Sequence, residues 1–131
     1  MGRRKLKNPP NKKERGLVKG ALRRVFSRSE LRRKIIDASL LKEYSDPSRK
    51  RVTRWSKCAI CGRLEATYKM QVDHLDPVQP IGISLEEMNW DQIIDNLWCD
   101  EAKLQAVCLE CHKAKSKLEN AERRRLKKEK K

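Results

Sequence analysis

The strongest constraint on this chain is a pair of C-x-x-C turns. Cys58 and Cys61 form the first turn and Cys108 and Cys111 the second, with 46 residues between the two pairs. Zinc binds four thiolates tetrahedrally, and two such turns can supply all four. No N-terminal apolar run that could serve as a signal peptide is present, which favours a reducing compartment and zinc over disulfides. We therefore expect a structural Zn²⁺ ion that joins the two turns. A Cys3His site that uses His112 is the alternative.

The composition of the chain indicates why it would need such an ion to fold stably. The chain has 131 residues, enough for one domain with extensions, but only 37% are hydrophobic and 5% aromatic. A chain with so little core often needs a bound metal as a staple. It contains no run of about 18 apolar residues, so we predict no membrane span.

The net charge of +15 is distributed unevenly. Residues 1–34 carry 14 Lys/Arg against 2 Asp/Glu, and residues 113–131 carry 10 against 3. Residues 62–112 reverse the balance, with 3 against 10. Basic arms attract polyphosphates through counterion release, whereas concentrated carboxylates suit hard cations. Either arm alone is equally consistent with a solvated face, so the charge supports a nucleic-acid partner without identifying one.

The first part of the chain is predicted to be a disordered basic tail (1–11) followed by a basic helical extension (12–54). Apolar residues recur at helical spacing over 12–26, and a second helix begins after a cap at Ser27 or Ser29 and ends at the turn Asp46-Pro47-Ser48. These helices could lie along DNA, or they could only cover the metal module. The predicted DNA contacts, including one on the C-terminal helix, are Lys19, Arg23, Arg24, Arg28, Arg32, Arg33 and Lys115.

The rest of the chain is predicted to be a small α+β module over 55–118, with a basic helix end and tail over 119–131. A strand with alternating polarity begins at Tyr68 and ends at Asp73-His74. A capping-box pattern at Ser84 predicts a helix over 84–97. A second strand over 104–107 leads into a helix that begins at Leu109 and continues into the tail.

Both histidines of the chain occupy conspicuous positions. His74 follows Asp73 at the predicted strand end, and His112 directly follows the second C-x-x-C turn. The order of these motifs resembles the HNH endonuclease family with its ββα-metal fold, and most closely its small zinc-stapled bacteriophage members. The resemblance covers about 55–118.

The resemblance implies a role for each of these residues. Asp73 and His112 would bind a catalytic Mg²⁺ or Mn²⁺ ion, and His74 would be the general base. The implied reaction is hydrolysis of DNA to 3′-hydroxyl and 5′-phosphate ends. A neutral imidazole can take a proton from water, and a divalent ion can stabilise the departing oxygen. The implied setting is the cytoplasm of an infected bacterium, where the enzyme would act in homing or alongside phage DNA-processing or packaging proteins. Nothing in the sequence resembles a dimer interface, so a monomer is expected.

The chain departs from the family at the motif asparagine, which usually pins the loop that carries the base. The expected position, five residues before the second C-x-x-C turn, is Lys103. Asn96 is the other candidate if an insertion separates it from the strand. Lys103 could instead contact a phosphate.

Two other classes of function compete with a nuclease. One is a non-catalytic zinc-stapled protein that binds nucleic acid. The other is a regulatory module that binds another protein through the acidic middle of the chain.

Overall fold

A computed structural model describes residues 6–129 as a small α+β fold. The helices are α1 (Lys12–Phe26), α2 (Glu30–Ala38), α3 (Trp90–Leu97) and α4 (Leu109–Glu129). The strands are β1 (Trp55–Lys57), β2 (Leu64–Ala66), β3 (Gln71–His74) and β4 (Leu104–Val107). Antiparallel pairing joins β1 to β2 and β3 to β4 in two separate sheets. In this part of the chain, no helix has both the length and the apolar character needed to cross a bilayer.

The two N-terminal helices begin at side-chain caps. Asn11 and Glu14 form a capping box that starts α1, and the Ser29 hydroxyl accepts from the Arg32 amide to start α2. The bounds predicted for α1 are confirmed, while residues 1–5 of the predicted disordered tail lie outside the described residues. The second helix was predicted too long. It ends at Ala38, after which Leu40 and the following residue pair with β1 instead of continuing the helix.

Arg15 departs from the expected polar face of α1. It is buried, and its guanidinium donates to the carbonyls of Leu85 (3.2 Å) and Met88 (2.7 Å). The same group lies 4.5 Å from the ring centroid of Trp90. Arg15 therefore ties α1 to the start of α3, a role that amphipathic patterning does not reveal.

The main core lies between α1, α3 and β4. Phe26 of α1 is buried in one cluster with Val78, Ile93, Leu97 and Leu104. A second cluster joins α2 to the β3–β4 sheet and contains Ile36, Met70 and Ala106. The basic helices thus share their packing with the later module. The apolar residues of α1 are only partly used for this, since three of them are exposed: Leu17, Val18 and Val25.

Two predicted elements in the middle of the chain are shorter than expected. The strand does not begin at Tyr68, because Thr67–Lys69 forms a 3-10 turn and pairing starts only at Gln71. The predicted helix over 84–97 is split into a 3-10 turn at Leu85–Glu87 and α3, because Asn89 and Gln92 form a second capping box. The capping box at Ser84 is confirmed, but it caps only the short turn.

The β1–β2 hairpin was not predicted, and it presents the first cysteine turn at its tip. Gly62 has φ +74° at the end of that turn, a conformation that glycine adopts without strain. The second turn leads directly into α4, where the Cys108 carbonyl accepts from the His112 amide (3.0 Å). In the β3–β4 sheet, Asp73 lies opposite Gln105.

Candidate functional site

The four cysteines of the two turns form a candidate metal centre. The sulfur atoms of Cys58, Cys61, Cys108 and Cys111 all lie within 4.8 Å of one another, and Cys61 Sγ is 3.9 Å from Cys108 Sγ. Tetrahedral zinc with Zn–S bonds of about 2.3 Å places its sulfurs about 3.8 Å apart. All five thiols in the described chain are free, so no disulfide competes for them. These four cysteines could hold a metal ion, and the arrangement is consistent with structural zinc.

The surroundings of Cys58 favour a thiolate. Burial raises the pKa of this thiol, but backbone amides of Cys61, Cys108 and Ile60 outweigh it and lower the pKa to about 6. Metals bind the thiolate form. The Ala59 amide also donates to a β4 carbonyl (2.9 Å), so the first turn is fixed against the strand that leads to the second.

The second candidate site is a cleft of about 240 Å³ between α1, the β3–β4 sheet and α4. Asp73, His74 and His112, the three residues predicted for catalysis, all line it. They come from the end of β3 and the first turn of α4, which are far apart in the sequence. The fold therefore brings these three residues to one cleft.

His74 is held at one edge of this cleft in a defined orientation. Its Nε2 is 2.9 Å from the carbonyl oxygen of Leu97. A carbonyl can only accept, so Nε2 carries the proton and Nδ1 is left as the acceptor. The ring also packs against Phe26, with centroids 5.0 Å apart.

The electrostatic environment favours the neutral form of His74. Burial lowers the pKa of the imidazole below its usual 6.5, and the charges of Arg23 and Lys115 lower it further. The hydrogen bond to Leu97 and the Asp73 carboxylate act in the opposite direction without cancelling the effect. At neutral pH the ring can accept a proton.

Asp73 is buried, with only 5% of its surface exposed, and its carboxylate is already engaged. Gln105 Nε2 donates to Oδ2 (2.9 Å). The ammonium of Lys115 lies 3.0 Å from Oδ1 and 2.8 Å from Oδ2, and it donates to the His74 carbonyl (2.6 Å). Lys115, predicted as a DNA contact, is thus a partner of Asp73, and a cation already lies against both carboxylate oxygens.

The two candidates for the motif asparagine differ in the structure. Asn96 Nδ2 donates to the Val78 carbonyl (2.9 Å), in the loop that follows His74. Lys103 is exposed outside the cleft, and its Nζ is 3.4 Å from Asp76 Oδ2. Asn96 therefore makes the type of loop-pinning contact that was expected of the motif residue.

The predicted DNA contacts differ in where they lie relative to the cleft. Arg23 and Arg32 line the cleft, as does Lys115. Lys19 donates to Gln79 Oε1 (2.9 Å) in the loop after β3. The remaining three are exposed but do not line the cleft: Arg24, Arg28 and Arg33.

Sequence reasoning missed one residue that lines the cleft and one residue beside it. Gln105 supports Asp73, and only the strand register could have revealed it. Arg123 lines the cleft and donates to the Gln79 carbonyl (2.6 Å), although its position in a basic tail gave no such signal.

Comparison with known protein families, characterised proteins and solved structures found no match to this chain.

Proposed function

We propose that this chain is a metal-dependent DNA endonuclease of the HNH type, in which β3, β4 and α4 form a ββα-metal module. The observation that carries this proposal is the convergence of Asp73, His74 and His112 on one cleft, with His74 oriented by a backbone carbonyl. The reaction is hydrolysis of a phosphodiester to a 3′-hydroxyl and a 5′-phosphate. A bacteriophage origin and a role in DNA processing, packaging or homing belong to the same proposal.

In this proposal His74 is the general base. Its Nε2–H donates a hydrogen bond to the Leu97 carbonyl. The other ring nitrogen, Nδ1, therefore takes the proton of the attacking water. The burial that lowers the pKa of the ring keeps it neutral and available. Asn96 holds the loop after His74 through Val78 and thereby positions the base.

Asp73 and His112 offer the carboxylate oxygen and imidazole nitrogen that would hold a divalent cation. Within residues 6–129, only the cysteine cluster brings three or more Cys, His, Asp or Glu ligand atoms together. In this proposal, water and phosphate oxygens would complete the coordination of the ion. The Lys115 ammonium on Asp73 indicates that the pocket accepts a positive charge, and Lys115 must move aside for an ion to take its place. When bound, a divalent ion supplies Lewis-acid stabilisation of the charge that develops on the departing oxygen.

One observation favours a second candidate, a non-catalytic protein that binds nucleic acid. The Lys115–Asp73 pair neutralises the buried carboxylate without any metal. A protein that retained this pair permanently would bind DNA through its basic surface but would not cleave it.

Cleavage of supercoiled plasmid separates the two candidates. The purified zinc-loaded protein is expected to nick or linearise plasmid with Mg²⁺ or Mn²⁺, and not in their absence. His74→Ala is expected to lower the rate at least about 100-fold, since a general base contributes about that much or more, while binding to DNA stays near the wild-type level. Ser116→Ala, in the same cleft but with no role in the proposal, serves as the matched control. Unchanged cleavage by His74→Ala would exclude His74 as the base, and binding without cleavage under either metal would select the second candidate.

A further inference from the structure

Two cationic side chains from two helices contact one loop beside the cleft, and a third lines the cleft itself. Lys19 and Arg23 are one turn apart on α1, and Arg123 is on α4. Lys19 donates to the side-chain oxygen of Gln79 and Arg123 to its backbone carbonyl. Gln79 in turn donates to the Ile83 carbonyl (2.8 Å), which closes the loop. The loop after β3 therefore holds the two helices with their positive charges close together.

The charges within this group repel one another. Burial, and then the charges of Arg23 and Arg123, lower the pKa of Lys19 from 10.5 to about 8. The pKa of Arg23, which still exposes much of its surface, is lowered by partial burial and by the charge of Arg123, and Glu119 only partly opposes them. Like charges brought together in a folded protein cost free energy, and such arrangements are concentrated at functional sites. A bound anion would relieve the repulsion.

We propose that Lys19, Arg23 and Arg123 form a clamp for one backbone phosphate of DNA, adjacent to the phosphate that is cleaved. This inference rests on the proposed function. Arg23 and Arg123 line the same cleft as His74, so a phosphate between them lies next to the reacting group. Guanidinium groups can form paired hydrogen bonds to phosphate oxygens, and Lys19 adds a point charge. Contacts of this kind fix the position of the strand without reading its sequence.

The neighbouring arginines provide a matched control for the clamp. Arg24 and Arg124 lie on the same two helices, one residue beyond Arg23 and Arg123, and both are exposed outside the cleft. Arg24 is itself one of the predicted DNA contacts, so a small loss of affinity is expected from this control as well. The double variants R23Q/R123Q and R24Q/R124Q therefore lose the same charge from the same helices. They differ in whether the loss affects the clamp.

The test is fluorescence anisotropy with a short labelled duplex, using zinc-loaded protein without added Mg²⁺ or Mn²⁺. R23Q/R123Q is expected to bind at least about 30-fold more weakly than the wild type, and R24Q/R124Q about 3-fold. The plot of log K against log salt concentration has a negative slope, and its magnitude should decrease by about 1 in the clamp variant. The magnitude should change less in the control. Equal weakening of the two double variants would overturn the clamp.

A second variant keeps the test informative if R23Q/R123Q does not fold. Lys19→Met removes one desolvated charge and retains the aliphatic stem, and it is expected to weaken binding about 10-fold. Wild-type affinity of this variant would overturn the clamp. Since binding is measured without the catalytic ion, the result is independent of cleavage. Loss of binding in the clamp variants alongside a wild type that never cuts would support the clamp and refute the nuclease.

Discussion

The buried carboxylate of Asp73 requires a positive charge beside it, and Lys115 provides one. The carboxylate side chain is 7% exposed and the lysine side chain 26%, with 2.8 Å between Nζ and Oδ2. A divalent ion bound to Asp73 would need the same position. Lys115 and the proposed ion would therefore compete for this position, and the lysine would stabilise the fold when no metal is bound.

Replacing Lys115 by methionine tests this competition. Without divalent ions, K115M is expected to lose about 2–4 kcal/mol of unfolding free energy, because removal of one partner leaves a buried charge unpaired. Mn²⁺ should restore more stability to K115M than it adds to the wild type, since the variant has no lysine to displace. Chemical denaturation with and without Mn²⁺ measures both effects.

The control for this prediction is D73N/K115M, which has neither charge. It should regain much of the lost stability and should not respond to Mn²⁺ through this site. A K115M variant as stable as the wild type and equally insensitive to Mn²⁺ would show that the pair is not a substitute for an ion.

At the scale of elements, the C-terminal end of α3 contacts both the ring of the proposed base and the loop that follows it. The Leu97 carbonyl accepts from His74, and the adjacent Asn96 donates to Val78 in the following loop. Phe26 and Leu97 are packed in the same core cluster, so α1 and α3 together form a rigid support for the imidazole. The orientation of the proposed base thus depends on helices outside the β3–β4–α4 unit.

Asn96→Ala should loosen this support without removing any predicted DNA contact. We expect a stability loss of about 1–2 kcal/mol from the unpaired Val78 carbonyl, together with a lower kcat for cleavage and a nearly unchanged KM for DNA. Steady-state kinetics on a labelled duplex would separate the two constants. Asp95→Ala, on the exposed side of the same helix turn, is the matched control. A raised KM with an unchanged kcat would instead indicate that Asn96 contributes to binding.

The elements that could be predicted from the sequence were those with a clear local signal. The bounds of α1 could be predicted from helical periodicity, and β4 could be predicted from the mostly apolar residues before Cys108. The β1–β2 hairpin was missed because strands of three residues are too short to show a period of two. The helix over 84–97 was overextended because the first of two capping boxes was assigned to the whole segment.

For the candidate sites, it could be predicted which residues lie together in the fold, but several of their contacts could not be predicted. The cysteine cluster followed from the two turns, and the convergence of Asp73, His74 and His112 followed from the family resemblance. The pairing of Lys115 with Asp73 depends on how α4 is rotated against β3, across 42 residues of sequence. No local pattern encodes that rotation.

At the scale of the whole molecule, the cysteine cluster joins the ends of the segment that carries Asp73, His74 and Asn96. Closing a loop of 46 residues with a cross-link removes conformational freedom from the unfolded chain. The clusters around Phe26 and Ile36 are small for a chain of 131 residues. We therefore expect the metal to contribute a large part of the stability and to fix the geometry of the cleft indirectly.

Removing one thiolate should consequently affect the entire fold. Elemental analysis should find one zinc per chain in the wild type. Because zinc binding and folding are coupled, removal of the zinc by a strong chelator should unfold the chain in one cooperative step. Cys61→Ser should lower the zinc content and the melting temperature, and it should weaken the near-UV circular dichroism of the tryptophans. Cys99→Ser is the matched control, because Cys99 packs beside the main core and lies outside the four-cysteine cluster. If chelation left the melting curve unchanged, the hydrophobic clusters alone would suffice to hold the chain, and the cleft would not depend on the cysteines.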